Sequence, residues 1–201
     1  MIKGKLNVCA VICRAASEKQ GKDGKSFLSF NVKLPIEGRD GSSKELELSV
    51  SVDGDKSKAS VYAAGRRVNL VGTLTVRKKS GKVYYNFRAD SVSIANSKEP
   101  DRIEGTMEFR GKIGKKGVDI KKDKKDNIYK VFSAFSTDKD GDKAEFTWIR
   151  FLYFNPKDGE DFLVADTYIE AKGVLQLGLF NDEFTLDCRV SEVKPWLLES
   201  K

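Results

Sequence analysis

Whatever chemistry this chain performs, it performs without histidine, because none of its 201 residues is one. That absence removes the imidazole base, the usual serine and cysteine triads, and most zinc sites. Cys9, Cys13 and Cys188 are odd in number and have neither zinc-like nor disulfide-framework spacing. They read as free thiols in a reducing compartment, with Cys9 and Cys13 in a core. Asp138-Lys139-Asp140-Gly141-Asp142 looks superficially like a calcium loop. Its glycine is misplaced, however, and no glutamate stands at the twelfth position, so it reads as a hairpin turn. There is no glycine-rich phosphate loop and no carboxylate cluster placed for metal-dependent hydrolysis. The expectation is a protein with no enzymatic activity, no cofactor and no metal.

What remains is binding chemistry, carried by cations and aromatics. The net charge is +7, and the charge is unevenly spread. Residues 1–97 hold 18 Lys and Arg against 9 Asp and Glu (+9), and residues 98–201 hold 19 against 21 (−2). In the basic part, Arg14, Lys25, Lys33, Arg66, Arg77, Lys78, Lys79 and Arg88 are candidate phosphate contacts, and Phe27, Tyr84 and Tyr85 are candidate base-stackers. Phe27 shares a strand face with Lys33, and one of the adjacent pair Tyr84 and Tyr85 must face a core. In the other part, alternation along residues 145–154 puts Ile149, Phe151 and Tyr153 inward. Trp148, Arg150, Leu152 and Phe154 are then left on the opposite side, as a stacking surface requires. Lys112 begins a stretch with seven lysines up to Lys125, read as a first hairpin loop able to swing over a bound strand.

These residues need elements to hold them. Leu28, Phe30, Val32 and Leu34 alternate with polar residues, as do Leu46, Leu48, Val50 and Val52. Residues 68–76 and 83–87 are rich in β-branched and aromatic types, and glycine-containing turns separate the runs. A short helix or turn fits residues 57–65, ended by Gly65, with a brief counterpart near residues 161–168. The pattern then repeats at an offset near 101. Ile2-Lys3-Gly4 recurs as Ile103-Glu104-Gly105, and Phe27-Leu28-Ser29-Phe30 as Tyr129-Lys130-Val131-Phe132. Val71-Gly72-Thr73-Leu74 recurs as Lys172-Gly173-Val174-Leu175, and Arg88 falls opposite Arg189. Two copies of one fold follow, residues 1–97 and 98–201, joined by a polar linker at about 96–101. The expected class is all-β, with two tandem five-stranded OB-fold barrels, each carrying a short helix between its third and fourth strands. A five-stranded sandwich of another topology would give the same spacing.

The segment Tyr62-Ala63-Ala64-Gly65-Arg66-Arg67-Val68-Asn69-Leu70-Val71-Gly72-Thr73-Leu74 resembles the helix-to-strand-4 region of the bacterial single-stranded DNA-binding proteins. Arg77-Lys78-Lys79 with Tyr84 resembles that family's basic strand 4–5 hairpin, and residues 145–154 resemble its strand 3. The resemblance implies binding of single-stranded DNA. It also implies an acidic tail that recruits replication partners. This sequence closes instead on Lys194-Pro195-Trp196-Leu197-Leu198-Glu199-Ser200-Lys201, so tail-mediated recruitment is not expected.

Two functions therefore stand at this point. The first is sequence-nonspecific binding of single-stranded DNA in replication, recombination or repair, with RNA not separable because nothing reads a 2′-hydroxyl. The other is a protein-docking module of a replisome or virion, which the near-neutral second half would suit. A monomer and a homodimer presenting four barrels are both compatible. No apolar run reaches the roughly 20 residues of a membrane span, and nothing marks the start for secretion, so a cytoplasmic protein is expected.

Overall fold

The computed structural model describes residues 1–157 and 159–197. Residues 198–201, the end of the segment in which an acidic tail was sought, lie outside the described residues. The alternating runs become strands whose buried positions are the alternate ones. In chain order these are β1 (Ile2–Gln20), β2 (Ser26–Glu37), β3 (Ser43–Asp53), β4 (Arg67–Lys79) and β5 (Lys82–Ile94), followed by β6 (Arg102–Lys122), β7 (Ile128–Asp140), β8 (Lys143–Phe154), β9 (Tyr168–Phe180) and β10 (Glu183–Pro195). No helix among the described residues is long and apolar enough to cross a membrane.

Two compact units result. One is Gly4–Thr75 with Tyr84–Gly105, and the other is Thr106–Lys201 with Met1–Lys3 and Val76–Val83. In the first unit, β1 pairs antiparallel with β2 and β2 with β3, then β3 runs parallel to β5. β5 neighbours β4, and β4 neighbours β1, so the ring closes. The second unit repeats this: β6 with β7, β7 with β8, β8 parallel to β10, β10 with β9, and β9 back to β6. One strand can serve two neighbours in this way because it bends. β1 has register shifts between Ile12 and Arg14 and between Arg14 and Ser17, and β6 has one between Ile113 and Val118. An extra residue in one strand kinks it and sharpens its twist. Each ring is completed by a short parallel pairing, Ser49–Ser51 of β3 with β5 and Arg150–Leu152 of β8 with β10.

The first core is built on Leu28, Phe30, Leu46, Leu48, Leu70, Leu74 and Phe87, and the second on Met107, Phe109, Phe132, Ile149 and Phe151, all nearly inaccessible. Each such side chain contributes about 1.5–3 kcal/mol relative to exposure. The matching glycines of the repeat have a shared cause. A Cβ on Gly72 would collide with the Arg88 carbonyl, and one on Gly173 with the Arg189 carbonyl. Glycine at these points lets the fourth strand of each barrel approach its fifth.

Three expectations are corrected. The 3-10 helix Lys56–Tyr62, N-capped by Asp55 through the Ser57 amide (2.9 Å), closes the first barrel by stacking Tyr62 on Phe30 at 5.1 Å. The second barrel has no matching helix among its described residues. Turns fill residues 161–167, Leu163 is buried there, and Tyr168 already begins β9. The lysine-rich stretch from Lys112 is not a loop either, since β6 extends through it to Lys122 and pairs with β7 on both sides of the irregularity between Ile113 and Val118, with a turn following at residues 123–127. Cys13, expected in the core beside fully buried Cys9, is half-buried, its thiol donating to the Asn31 carbonyl.

Residues 96–101 form a tight turn held on the first unit. The Glu99 amide donates to the Asn96 carbonyl (3.0 Å), Asn69 donates to Glu99 (3.1 Å), and Arg67 pairs with Asp101 at 2.6 Å.

Candidate nucleic-acid interface

The strand 2–3 face of an OB barrel is where such folds take up oligonucleotides. In the second unit this face is β7 and β8. Thr147, Ile149, Phe151 and Tyr153 point inward, which leaves Phe146, Trp148, Arg150, Leu152 and Phe154 on the outside, with Trp148 53% exposed. Cross-strand register sets Thr137, Phe135, Ser133, Val131 and Tyr129 opposite them. Phe135 lies 4.9 Å from Trp148 and 5.1 Å from Phe146, ring centre to ring centre, and Tyr129 stacks on Phe154 at 5.2 Å with 21° between planes. Arg189 on β10 lies over the same Phe154 ring at 5.1 Å.

Two aromatic clusters thus sit six residues apart on β8, roughly 20 Å at about 3.3 Å per residue. Between them Arg150 is fixed to Asp187, its Nε donating at 3.1 Å and its Nη2 pairing with the second carboxylate oxygen. Arg150, expected as part of the stacking row, stands on that outward face between the two clusters and is paired with Asp187. The Trp148 indole packs close to the backbone at Gly114, where a Cβ would stand 2.9 Å from the ring. Lys121 faces Tyr129 across the β6–β7 ladder, which places a cation beside the outer stack.

The same face of the first unit is chemically different. Phe27 faces Asp53, Ser29 faces Ser51, and Lys33 faces Glu47. Lys33 pairs with Glu45 at 2.7 Å, Asn31 donates to Glu47, and Arg88 pairs with Asp53. This surface offers one half-buried ring and three carboxylates, so it has little to stack a base on. Arg14, Lys25 and Arg66 are exposed, the last donating to the Val61 carbonyl at 3.0 Å.

The Tyr84 and Tyr85 pair resolves. Tyr84 is 46% exposed, and Tyr85, a candidate stacker, is corrected to a core residue at 8%. Burial pushes the Tyr85 phenol up to about 12. Arg77, Lys78 and Lys79 lie in the hairpin tip that belongs to the second unit. Arg77 is exposed, whereas Lys78 and Lys79 stand 3.9 Å from Glu145 and Asp140. The tip is held through its backbone as well. The Lys78, Ser80 and Gly81 amides donate to Asp138, Asp140 and Glu145 at 3.0–3.1 Å. Lys112 pairs with Asp166 at 2.7 Å, and that hydrogen bond raises the lysine and lowers the carboxyl from their ordinary values.

Tyr129, Phe135, Phe146 and Arg189 belong to the second-unit face although the sequence reading did not select them. Period-two parity along residues 129–135 was the available signal for the two on β7. Arg189 was visible only as the partner of Arg88 in the repeat.

No family model matches the chain, and no curated protein matches it. Among solved structures, the fold is similar to the wild-type single-stranded DNA binding protein from Thermus aquaticus. That match has 11% identity and a TM-score of 0.50, covering 98% of this chain and 95% of that one. A deletion mutant of the same Thermus aquaticus protein matches at 12% identity and a TM-score of 0.50, covering 98% and 96%. Along nearly its whole length, then, this chain shares the two-barrel fold of the Thermus aquaticus protein.

Proposed function

We propose that the protein binds single-stranded DNA without sequence preference and carries out no reaction on it, protecting or organising exposed strands in replication, recombination or repair. The observation that carries this reading is the β7–β8 face, where two aromatic clusters stand open with Arg189 and Lys121 beside them. Every base has a π-face, so such a surface accepts any sequence, at about 1–3 kcal/mol per stacked base. The exposed Arg14, Lys25, Arg66 and Arg77 would track phosphates, a sequence-blind and salt-dependent contribution. The two-barrel fold shared with a protein named as a single-stranded DNA binder supports the same reading.

The test is fluorescence anisotropy of labelled oligo-dT of roughly 35 nucleotides, longer than the about 16 nucleotides a single OB barrel covers at most. Tight binding that resists duplex competitor and weakens linearly in log–log with salt is the expected result. Absence of binding at low salt would remove this reading and leave a protein-docking module as the better account.

A further inference from the structure

The aromatic face does not end at β7. In the register of the second barrel, Trp148 on β8 faces Phe135 on β7, Phe135 faces Lys112 on β6, and Lys112 faces Tyr168 on β9. These four form one cross-strand row around the barrel. Adjacent strands lie about 4.8 Å apart, so the row covers roughly 14 Å from Trp148 to Tyr168. The Lys112 ammonium lies 5.8 Å from the Tyr168 ring centre, and Tyr168 meets Trp196 edge-on at 5.9 Å. Arg110 stands 6.0 Å from the Trp196 ring, held by Glu170 at 2.7 Å. The cluster is built on both sides, because the Trp196 amide donates to the Tyr168 carbonyl and fixes the chain beside β9 (2.9 Å).

The geometry points to a second strand-binding subsite on this barrel, in which single-stranded nucleic acid leaving the Trp148–Phe135 stack crosses β6 at Lys112 and stacks again on Tyr168 and Trp196. The inference rests on the function proposed above. Lys112 lies within the row and supplies the phosphate contact there, its ammonium paired with Asp166 (2.7 Å) until a phosphate competes. Tyr168 is 39% exposed, which leaves ring surface for a base. A protein partner is the competing occupant, but a surface whose two aromatics are flanked by Arg110 and Lys112 matches a polyanion with π-faces better than an apolar partner.

The chain contains two tryptophans, Trp148 and Trp196, one at each end of the path, so each can report separately. Trp148→Phe leaves Trp196 as the sole reporter, and Trp196→Phe leaves Trp148. Both variants are titrated with oligo-dT of about 4 and about 16 nucleotides, the range one OB barrel covers. The short oligomer is expected to quench Trp148 alone, and the long one to quench both. Tyr168→Ala is expected to weaken the long oligomer roughly 5- to 150-fold, the equivalent of about one stacked base, with the short one unchanged.

Quenching of Trp148 at both lengths with Trp196 silent would overturn this subsite and leave the main reading intact. Silence of both tryptophans would overturn the main reading as well. A Trp196 response to protein concentration without oligonucleotide would assign the cluster to a subunit contact and overturn the subsite.

Discussion

Arg189 lies over the Phe154 ring at 5.1 Å, and its counterpart in the other repeat, Arg88, pairs instead with Asp53. The two arginines occupy equivalent places on the fifth strand of each barrel. What differs is the residue on the third strand, a phenylalanine in one and an aspartate in the other. One substitution at that place turns a cation–aromatic surface into a closed ion pair. Arg189→Ala is therefore expected to weaken oligo-dT binding severalfold and to lower the salt slope by about 0.7, the share of one phosphate contact on a single strand. Arg88→Ala should change both by less than half as much, since Asp53 already neutralises it. Anisotropy titrations at four salt concentrations check the pair.

Trp148→Ala is expected to weaken binding by roughly 5- to 150-fold, the equivalent of about 1–3 kcal/mol for one stacked base. Thermal stability should hold, because the side chain is 53% exposed and its removal empties no core. Circular dichroism melting beside the binding titration separates the two effects. A loss of affinity accompanied by unfolding would reassign Trp148 to a structural role.

Gly114→Ala should act through the same indole. Its new methyl would stand 2.9 Å from the Trp148 ring, which has to tilt away. The expected outcome is a shifted tryptophan emission maximum and weaker binding at nearly unchanged melting temperature. An unaltered emission spectrum would show that the ring does not depend on this glycine.

The tip of the β4–β5 hairpin is held by carboxylates rather than by apolar packing. Asp140 accepts from the Ser80 amide at 3.0 Å and from its hydroxyl at 2.9 Å. Asp140→Ala is expected to cost about 1–3 kcal/mol, as for a charged hydrogen-bond partner removed. Hydrogen exchange at Ser80 should accelerate by one to two orders of magnitude, while the core strands keep their protection. Uniform acceleration across the chain would mean global rather than local loosening.

Tyr85 sets an alkaline limit on stability. Its phenol is pushed up to about 12 by burial, against an ordinary value of about 10. The folded state therefore holds its proton more tightly than the unfolded chain does. That contribution is complete below about pH 10 and is lost as pH rises toward 12, in all about 2–3 kcal/mol. Denaturant melts between pH 9 and 12 should show this decline. Tyr85→Phe, which has no proton to lose, should make the decline shallower without abolishing it, because burial also pushes the Cys188 thiol up to about 12, and an unchanged slope would place the titration elsewhere.

Strand parity was readable from residues alone. Leu28 and Phe30 are inside, and so are Ile149, Phe151 and Tyr153, because a period of two fixes which side chains share a face. The repeat was readable too, and the collisions at Gly72 and Gly173 explain why its glycines recur. A short helix was legible at residues 57–65 because Gly65 stops it, and the structure has it at Lys56–Tyr62 with Asp55 as its cap. The absence of a helix near residue 161 was not, since a buried Leu163 in a run of turns leaves no periodic signal.

Readable from the residues were the alternation of β2, β3 and β8, the two copies, the lack of histidine chemistry and the outward row from Trp148 to Phe154. Each of these depends on type and local spacing, and local spacing is what a chain carries before it folds. Which cations are already engaged depends on the folded chain: Lys33 with Glu45, Arg88 with Asp53, Lys112 with Asp166, Arg150 with Asp187. Strand register likewise makes Phe135 and Lys112 continue the row of Trp148 toward Tyr168. Those pairings join residues 12 to 56 positions apart, and their register depends on strand closure and on a bulge between Ile113 and Val118. A one-residue slip there would turn the same side chains to the other face.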